Sequence, residues 1–303
     1  MQSKYLLSIV VSILLYSSVT VGEVAPIGSS ANPLKMLIDR EQAIQYIKPL
    51  FDAITKEFDI YFKVNSNKSY GAVINDFCTQ KIHFAIFGTS SYGEIKKRCY
   101  DFAEIFAVVI EKGSSTSYSG IFVRKGHNLN TLKDLVGQSI AFGNQYSTSS
   151  FNFPVSMLIE AGINPADDFD DIFITGNHFA AIKALKTGKA IAAAVSFRAW
   201  LKAVRDGSID PLYFKPLVKS IPIPNAPFVI NKTLPTELKN TLRDAFRVIH
   251  TKLSSDKLLN SFGKQVDRYD VNVDEQLYLN TLKKLKVVTP KIKKSILTKA
   301  NQH

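Results

Sequence analysis

Twice in this chain a short apolar run closes on a glycine and hands over to hydroxyl residues. The first reads Ala85-Ile86-Phe87-Gly88 and continues as Thr89-Ser90-Ser91. The second reads Ile140-Ala141-Phe142-Gly143 and reaches Ser147-Thr148-Ser149-Ser150 three residues later. Apolar runs of this length, bounded by glycine, read as buried strands. A segment of helical period follows each one. Strands that alternate with helices imply a parallel sheet, and ligands of open α/β sheets bind at the carboxyl ends of the strands. The first N–H groups of a helix have no internal partner and the macrodipole is positive there, so hydroxyls added at such a turn suit a small oxyanion. An N-cap cluster with surplus serines is the other reading of the 147–150 run, and that segment alone leaves both open.

The rest of the chain repeats the alternation. Residues 41–58 place Ala43, Ile47, Leu50, Phe51 and Ile54 on one helical face, with Pro49 expected to bend it. Ile60–Val64 reads as a strand, Tyr70–Phe77 as a helix, and 82–87 and 104–110 as strands, giving βαβαβ and a parallel sheet. Gly113–Ser119 has linker composition. A second set follows, with strands at 121–123, 139–142, 172–175 and 190–195 and a helix over 179–187. Ser220–Pro227 (SIPIPNAP) is too rich in proline for a central strand and suits a crossover. From Pro235 onward the chain reads as mostly helical. Two α/β lobes are therefore expected, lobe one from 24–118 plus 226–303 and lobe two from 119–225. Their hydroxyl-bearing edges would face each other across a hinged cleft.

The N-terminus places the chain in a compartment. Met1–Lys4 is positive, Tyr5–Tyr16 is apolar, and Thr20 and Gly22 stand at suitable −3 and −1 positions, so residues 1–22 read as a cleaved signal peptide. Its apolar run is short for a permanent membrane helix, and an exported, soluble, periplasmic protein is expected. Its removal takes away one lysine, Lys4, so the formal charge of +12 stays strongly basic. That charge is scattered, densest over Lys283–Lys299, with no arginine–aromatic stripe or zinc-finger spacing. This argues against nucleic acid as a partner. Cys78 and Cys99 match no metal motif; in an oxidising compartment the pair can form a disulfide, and a functional thiol is not expected. No cofactor and no metal are expected.

Several short motifs, in order, extend these features. They are Tyr46-x-x-Pro49-Leu50, Ser69-Tyr70, Phe84-Ala85-x-x-Gly88 and Leu132-Lys133-Asp134-Leu135-Val136-Gly137. The 147–150 run with Pro154, Gly176-Asn177-His178 and Ser220-Ile221-Pro222-Ile223-Pro224 complete the set. Over most of its length the chain resembles the phosphonate/phosphite-type (PhnD-like) substrate-binding proteins of ATP-driven importers. The resemblance implies the two-lobed α/β fold of the type II periplasmic-binding proteins. It also implies capture of a small phosphorus oxyanion (phosphonate, phosphite or phosphate) and the membrane permease of an ABC importer as partner. A monomer is expected. In that family the Ser-Thr-Ser run receives the anion's oxygens, which points to Ser147, Thr148 and Ser149. The pocket tyrosine falls on Tyr70, the histidine on His178, and a second tyrosine, before lobe two, on Tyr118. The first hydroxyl edge adds Thr89 and Ser90. A neutral histidine can donate one N–H, and a protonated one adds charge.

The departures bear on the ligand. Relatives that bind aminoalkyl phosphonates grip the ammonium with carboxylates, and counting along the resemblance puts Arg198 and Ala226 at those places. That argues for an amine-free anion or one with a second acidic group, with Arg198 as a ligand-binding residue. His83 stands where the family usually has aspartate. No P-loop, G-x-S-x-G elbow or HExxH is present, and no turnover is expected. The alternatives are a ligand-presenting sensor module, or a thiamine- or pyrimidine-related enzyme on the same fold with Ser149 and His178 as nucleophile and base.

Overall fold

The structure, a computed structural model, describes residues 25–38, 41–66 and 69–302. The signal peptide expected over 1–22 lies outside the described residues. The chain begins with β1 (Leu34–Ile38), α1 (Glu41–Phe58), β2 (Phe62–Ser66), α2 (Tyr70–Cys78), β3 (Phe84–Ile86), α3 (Thr89–Cys99) and β4 (Ala103–Ile110). A short β5 (Thr116–Ser117) leads into β6 (Ser119–Arg124), β7 (Ser139–Phe142), α4 (Phe153–Glu160), α5 (Pro165–Asp168), β8 (Asp171–Ile174), α6 (His178–Lys186), β9 (Ala192–Ser196), α7 (Phe197–Arg205) and β10 (Phe214–Lys219). The return is β11 (Ile223–Pro224) and β12 (Phe228–Asn231), then α8 (Thr236–Val248), β13 (Arg268–Asp270), α9 (Glu275–Lys284) and α10 (Pro290–Ala300).

Two larger sheets result, ordered β13-β4-β12-β3-β1-β2 and β10-β6-β9-β7-β8. Neither is wholly parallel. In the first, β12 returns antiparallel between β3 and β4; in the second, β6 runs antiparallel to β9 and β10. The sequence led to a parallel sheet because β12, Phe228-Val229-Ile230-Asn231, comes from far along the chain and fills the gap beside β3. All four of its residues are buried, as expected of a strand covered on both faces. Helix α1 continues through Pro49 and buries Ile47, Leu50, Phe51 and Ile54 against the first sheet. Phe84, Phe106, Phe228 and Phe246 pack ring to ring with Phe51 in that core. In the second sheet Trp200 stacks on Phe122 with ring centroids 4.1 Å apart.

The crossovers between the sheets lie side by side. β5 and β11 pair antiparallel, Ile223 opposite Ser117 and Pro224 opposite Thr116. Tyr278 of α9 braces this hinge by donating its hydroxyl to the Asn225 carbonyl at 2.9 Å. The end of the chain departs from the expected lobe boundaries. Val288 and Ile296 join the apolar core of the second sheet, and the Lys299 ammonium bonds the Phe169 carbonyl. Residues 290–300 thus pack with the 119–225 lobe, whereas the sequence assigns all of 226–303 to the other. Cys78 and Cys99 form a disulfide joining the ends of α2 and α3 around β3.

Candidate functional site

The two hydroxyl edges meet across one cleft. On one side stand Tyr70, which opens α2, then Gly88, then Thr89, which opens α3. On the other are Ser147, Thr148, Ser149, His178 and Ser196. The space they enclose is about 100 Å3, small beside the roughly 300–1,000 Å3 typical of drug-sized ligands.

The second edge is shaped by an unusual turn. Residues Thr148–Asn152 form a π-helical turn entering α4, with Ser147 as N-cap. Ser147 Oγ accepts from the Ser150 N–H at 3.2 Å, and the Asn152 N–H donates to the Ser147 carbonyl at 3.1 Å. π-turns are rare and concentrate at functional sites. Gly143 is required for this approach, because a Cβ there would lie 2.2 Å from Ser150 Oγ. Thr148 Oγ1 accepts from the Ser90 N–H at 2.8 Å, a bond across the cleft that satisfies one orphan donor of α3. A hydroxyl that accepts still has its own proton to give. Thr89 Oγ1 is buried in the cleft wall and makes no hydrogen bond to the protein.

Asn177 caps α6 by accepting from the Ala180 N–H, which sets His178 at the first helical position. The His178 Nδ1 accepts from the Ser196 N–H at 3.2 Å. An Nδ1 that accepts makes Nε2 the protonated nitrogen of a neutral ring. His178 in this geometry is a donor, and protonating Nδ1 would break its bond to Ser196.

Arg198 also lines the cleft, but its charge is already engaged. Its Nη2 lies 2.6 Å from Glu111 Oε1, and its Nε donates to Oε2 at 3.2 Å. Burial pushes the Arg198 guanidinium below its ordinary pKa, and the adjacent Glu111 carboxylate opposes that. Glu111 further takes Lys264 at 2.7 Å and the Asn260 amide at 2.6 Å. Arg198, expected as a ligand-binding residue, thus lines the cleft as one half of an ion pair.

Two other expected residues are placed differently. Ser117 reaches the cleft wall, while Tyr118 lies under the Lys219 ammonium at 3.6 Å and edge-on to Phe197. Ser90 donates its backbone N–H to Thr148 Oγ1, while its own Oγ is buried without a hydrogen-bond partner. Sequence reasoning missed Glu111, Ser196, Ser261 and Phe262. Glu111 had a usable signal, a lone acid ending an apolar strand just before a glycine linker. Ser261 and Phe262 sit in an irregular loop with no pattern to mark them. Among the described residues no group of three or more metal-ligating side chains comes together.

A sequence profile of the periplasmic phosphonate substrate-binding proteins of ABC transporters matches residues 38–277. The chain belongs to that family. The phosphate-import protein PhnD of Mycolicibacterium smegmatis (strain ATCC 700084 / mc(2)155) is 25% identical over 207 residues, 65% of this chain and 64% of that protein. The chain thus aligns with just under two thirds of that relative's length. Among solved structures, PhnD1 from Prochlorococcus marinus (MIT 9301) in complex with methylphosphonate superposes with a TM-score of 0.73 at 19% identity, covering 84% of this chain and 97% of that one. A binding-protein component of an ABC phosphonate transporter from Pseudomonas aeruginosa gives 0.72 at 18%, covering 89% and 95%. The fold is the two-lobed type II periplasmic-binding fold. The family is one of transport substrate-binding proteins, and membership in it implies export.

Proposed function

We propose that the chain captures a small phosphorus oxyanion (phosphonate, phosphite or phosphate) between its lobes and presents it to the permease of an ABC importer. It would do so in the periplasm, after loss of residues 1–22, as a monomer. The observation that carries the reading is the convergence of hydroxyls on one small cleft. Thr89 Oγ1 is buried there without a protein partner, opposite Ser147, Thr148 and Ser149, and His178 lines the same space. Such donors satisfy anionic oxygens at charge-assisted strength, about 1.5–3 kcal/mol each.

The geometry disfavours the enzyme alternative. A general base at His178 needs a lone pair on Nε2, yet Nδ1 is the accepting nitrogen in the Ser196 contact. No observation favours the sensor reading over delivery to an importer. Titration calorimetry with phosphate, phosphite, methylphosphonate and sulfate tests the proposal, with mass spectrometry of the incubated ligand to detect turnover. Micromolar or tighter binding of a phosphorus anion, recovered unchanged, is the expected result. Absence of binding to all three phosphorus anions overturns the reading, and so does conversion of the ligand.

A further inference from the structure

The lysine-rich end of the chain has no part in the anion cleft. Residues 276–303 carry seven lysines and no acidic residue. The fold gathers much of that charge beside α3. A groove of about 660 Å3 runs between α3, α9 and α10, and it shares no lining residue with the cleft. Lys96 and Lys97 of α3, Lys283 of α9, Lys286 of the following turn and Lys293 of α10 all line it. Glu94 is the one carboxylate in that lining, and Lys97 takes it at 3.1 Å. Lys96 bonds Glu275. Lys283, Lys286 and Lys293 have no carboxylate partner among the described residues. Burial holds the Lys293 ammonium below the ordinary lysine pKa; the Glu94 carboxylate opposes that and the Lys97 charge adds to it. Between the lysines the lining is apolar, with Leu282, Leu285 and Val288. Ser90, buried with its Oγ unpartnered, belongs to the same lining.

We propose that this groove docks the protein on an anionic phospholipid surface, with a headgroup phosphate held among Lys97, Lys283, Lys286 and Lys293. Membership in a family of ABC-transporter binding proteins makes a membrane permease the partner, so the molecule works beside a bilayer. Lysines around an apolar strip suit that setting. Their ammonium groups reach the phosphates, while their stems and the leucines meet the glycerol and the upper acyl region. A fully hydrated soluble anion would leave the apolar strip unused. Each lysine close to such a surface contributes roughly fivefold in affinity. The inference does not depend on which anion fills the cleft.

The test is co-sedimentation of the exported chain with phosphatidylcholine vesicles that contain or lack phosphatidylglycerol. The expected result is binding to the anionic vesicles alone, lost at high salt as the surface charge is screened. Lys283→Gln/Lys286→Gln/Lys293→Gln should weaken that binding about a hundredfold, from three contributions of about fivefold. Lys125→Gln/Lys252→Gln/Lys257→Gln removes the same charge from exposed lysines outside the groove, and it should cost less than about fivefold. Thermal midpoints establish that both variants fold. Should the first fail to, Lys283→Gln and Lys286→Gln, both at exposed positions, take its place singly, with about fivefold expected for each. No binding to the anionic vesicles, or equal losses in the two triple variants, overturns the proposal. So does release from the vesicles by inorganic phosphate at constant ionic strength, which would make the groove a site for a soluble anion. Methylphosphonate titration of the groove variant reads the cleft separately, and its affinity there should match the parent.

Discussion

Gly88 and Gly143 occupy matching places at the two strand ends, but a methyl group would meet different obstacles at each. At Gly88 the added carbon lies 2.9 Å from Thr148 Oγ1, on the opposite lobe. At Gly143 it lies 2.2 Å from Ser150 Oγ and 2.8 Å from Ser150 Cβ, within its own lobe. Gly88→Ala should therefore disturb the closed cleft, weakening anion affinity up to about tenfold through loss of one hydrogen bond, with little change in thermal midpoint. Gly143→Ala should destabilise the fold by about 1–3 kcal/mol, the range for overpacking. Paired calorimetry and thermal denaturation check both; a Gly88 variant with unchanged affinity contradicts the first. His83 offers a test of pH dependence. Its Nδ1 accepts from the Lys35 N–H at 3.1 Å, which ties β3 to β1. Burial, and then the Lys35 charge, push its pKa below the ordinary 6.5. The unfolded chain therefore binds this proton more readily. The contribution to stability is fully present above pH 6.5 and is lost as pH falls from there through the folded value. Urea midpoints at pH 7.5 and 5.5 should show a smaller loss on acidification in His83→Gln than in the parent.

Elements held by local pattern were legible, and those held by distant partners were not. Both Gly-hydroxyl edges were readable because each is an apolar run that ends in glycine and is followed within a few residues by a hydroxyl cluster opening a helix. The structure places α3 at Thr89 and the π-turn at Thr148, where the hydroxyl clusters pointed. β12 went unread because its role depends on β3 and β4, more than a hundred residues away. Of the residues singled out in the sequence, Tyr70, Thr89, Ser147, Thr148, Ser149, His178 and Arg198 line one cleft. Tyr118 stands in the one-residue gap between β5 and β6, and its neighbour Ser117 lines the wall instead. The function of Arg198 could not be read without Glu111, its partner from β4's end. The disulfide gives an element-scale prediction. Cys78–Cys99 ties the ends of α2 and α3, and β3 leads from between them to Gly88. Their separation of 21 residues corresponds to about 3 kcal/mol of stabilisation in the chain-entropy account. The double variant Cys78→Ser/Cys99→Ser should lose about that much, read as a lower urea midpoint, and the parent protein should shift likewise after reduction.

Across the whole molecule, the lobes are joined by more than the β5–β11 hinge. Ser90 N–H to Thr148 Oγ1, Ser91 Oγ to the Tyr146 carbonyl, Lys202 to Tyr46, Arg205 to the Phe262 carbonyl and Arg198 to Glu111 all cross between them. Most are single neutral or partly exposed contacts, worth about 1 kcal/mol or less each. Arg198–Glu111 differs because both side chains are taken from water, Glu111 at 2% and Arg198 at 13% exposure. Removing one partner of a buried pair leaves an uncompensated charge, at about 3–5 kcal/mol. A two-lobed protein has a way to relieve that penalty short of unfolding, since opening the hinge returns the guanidinium to water. Glu111→Gln is therefore expected to shift the ligand-free molecule toward an open arrangement. Small-angle scattering should report a larger radius of gyration, and saturating anion should reduce it. Apparent affinity should fall by the fraction of closed molecules lost. An unchanged radius with a lowered unfolding midpoint would make the pair a support of the fold alone, and an unchanged radius with unchanged midpoint and affinity would leave it no role in closure.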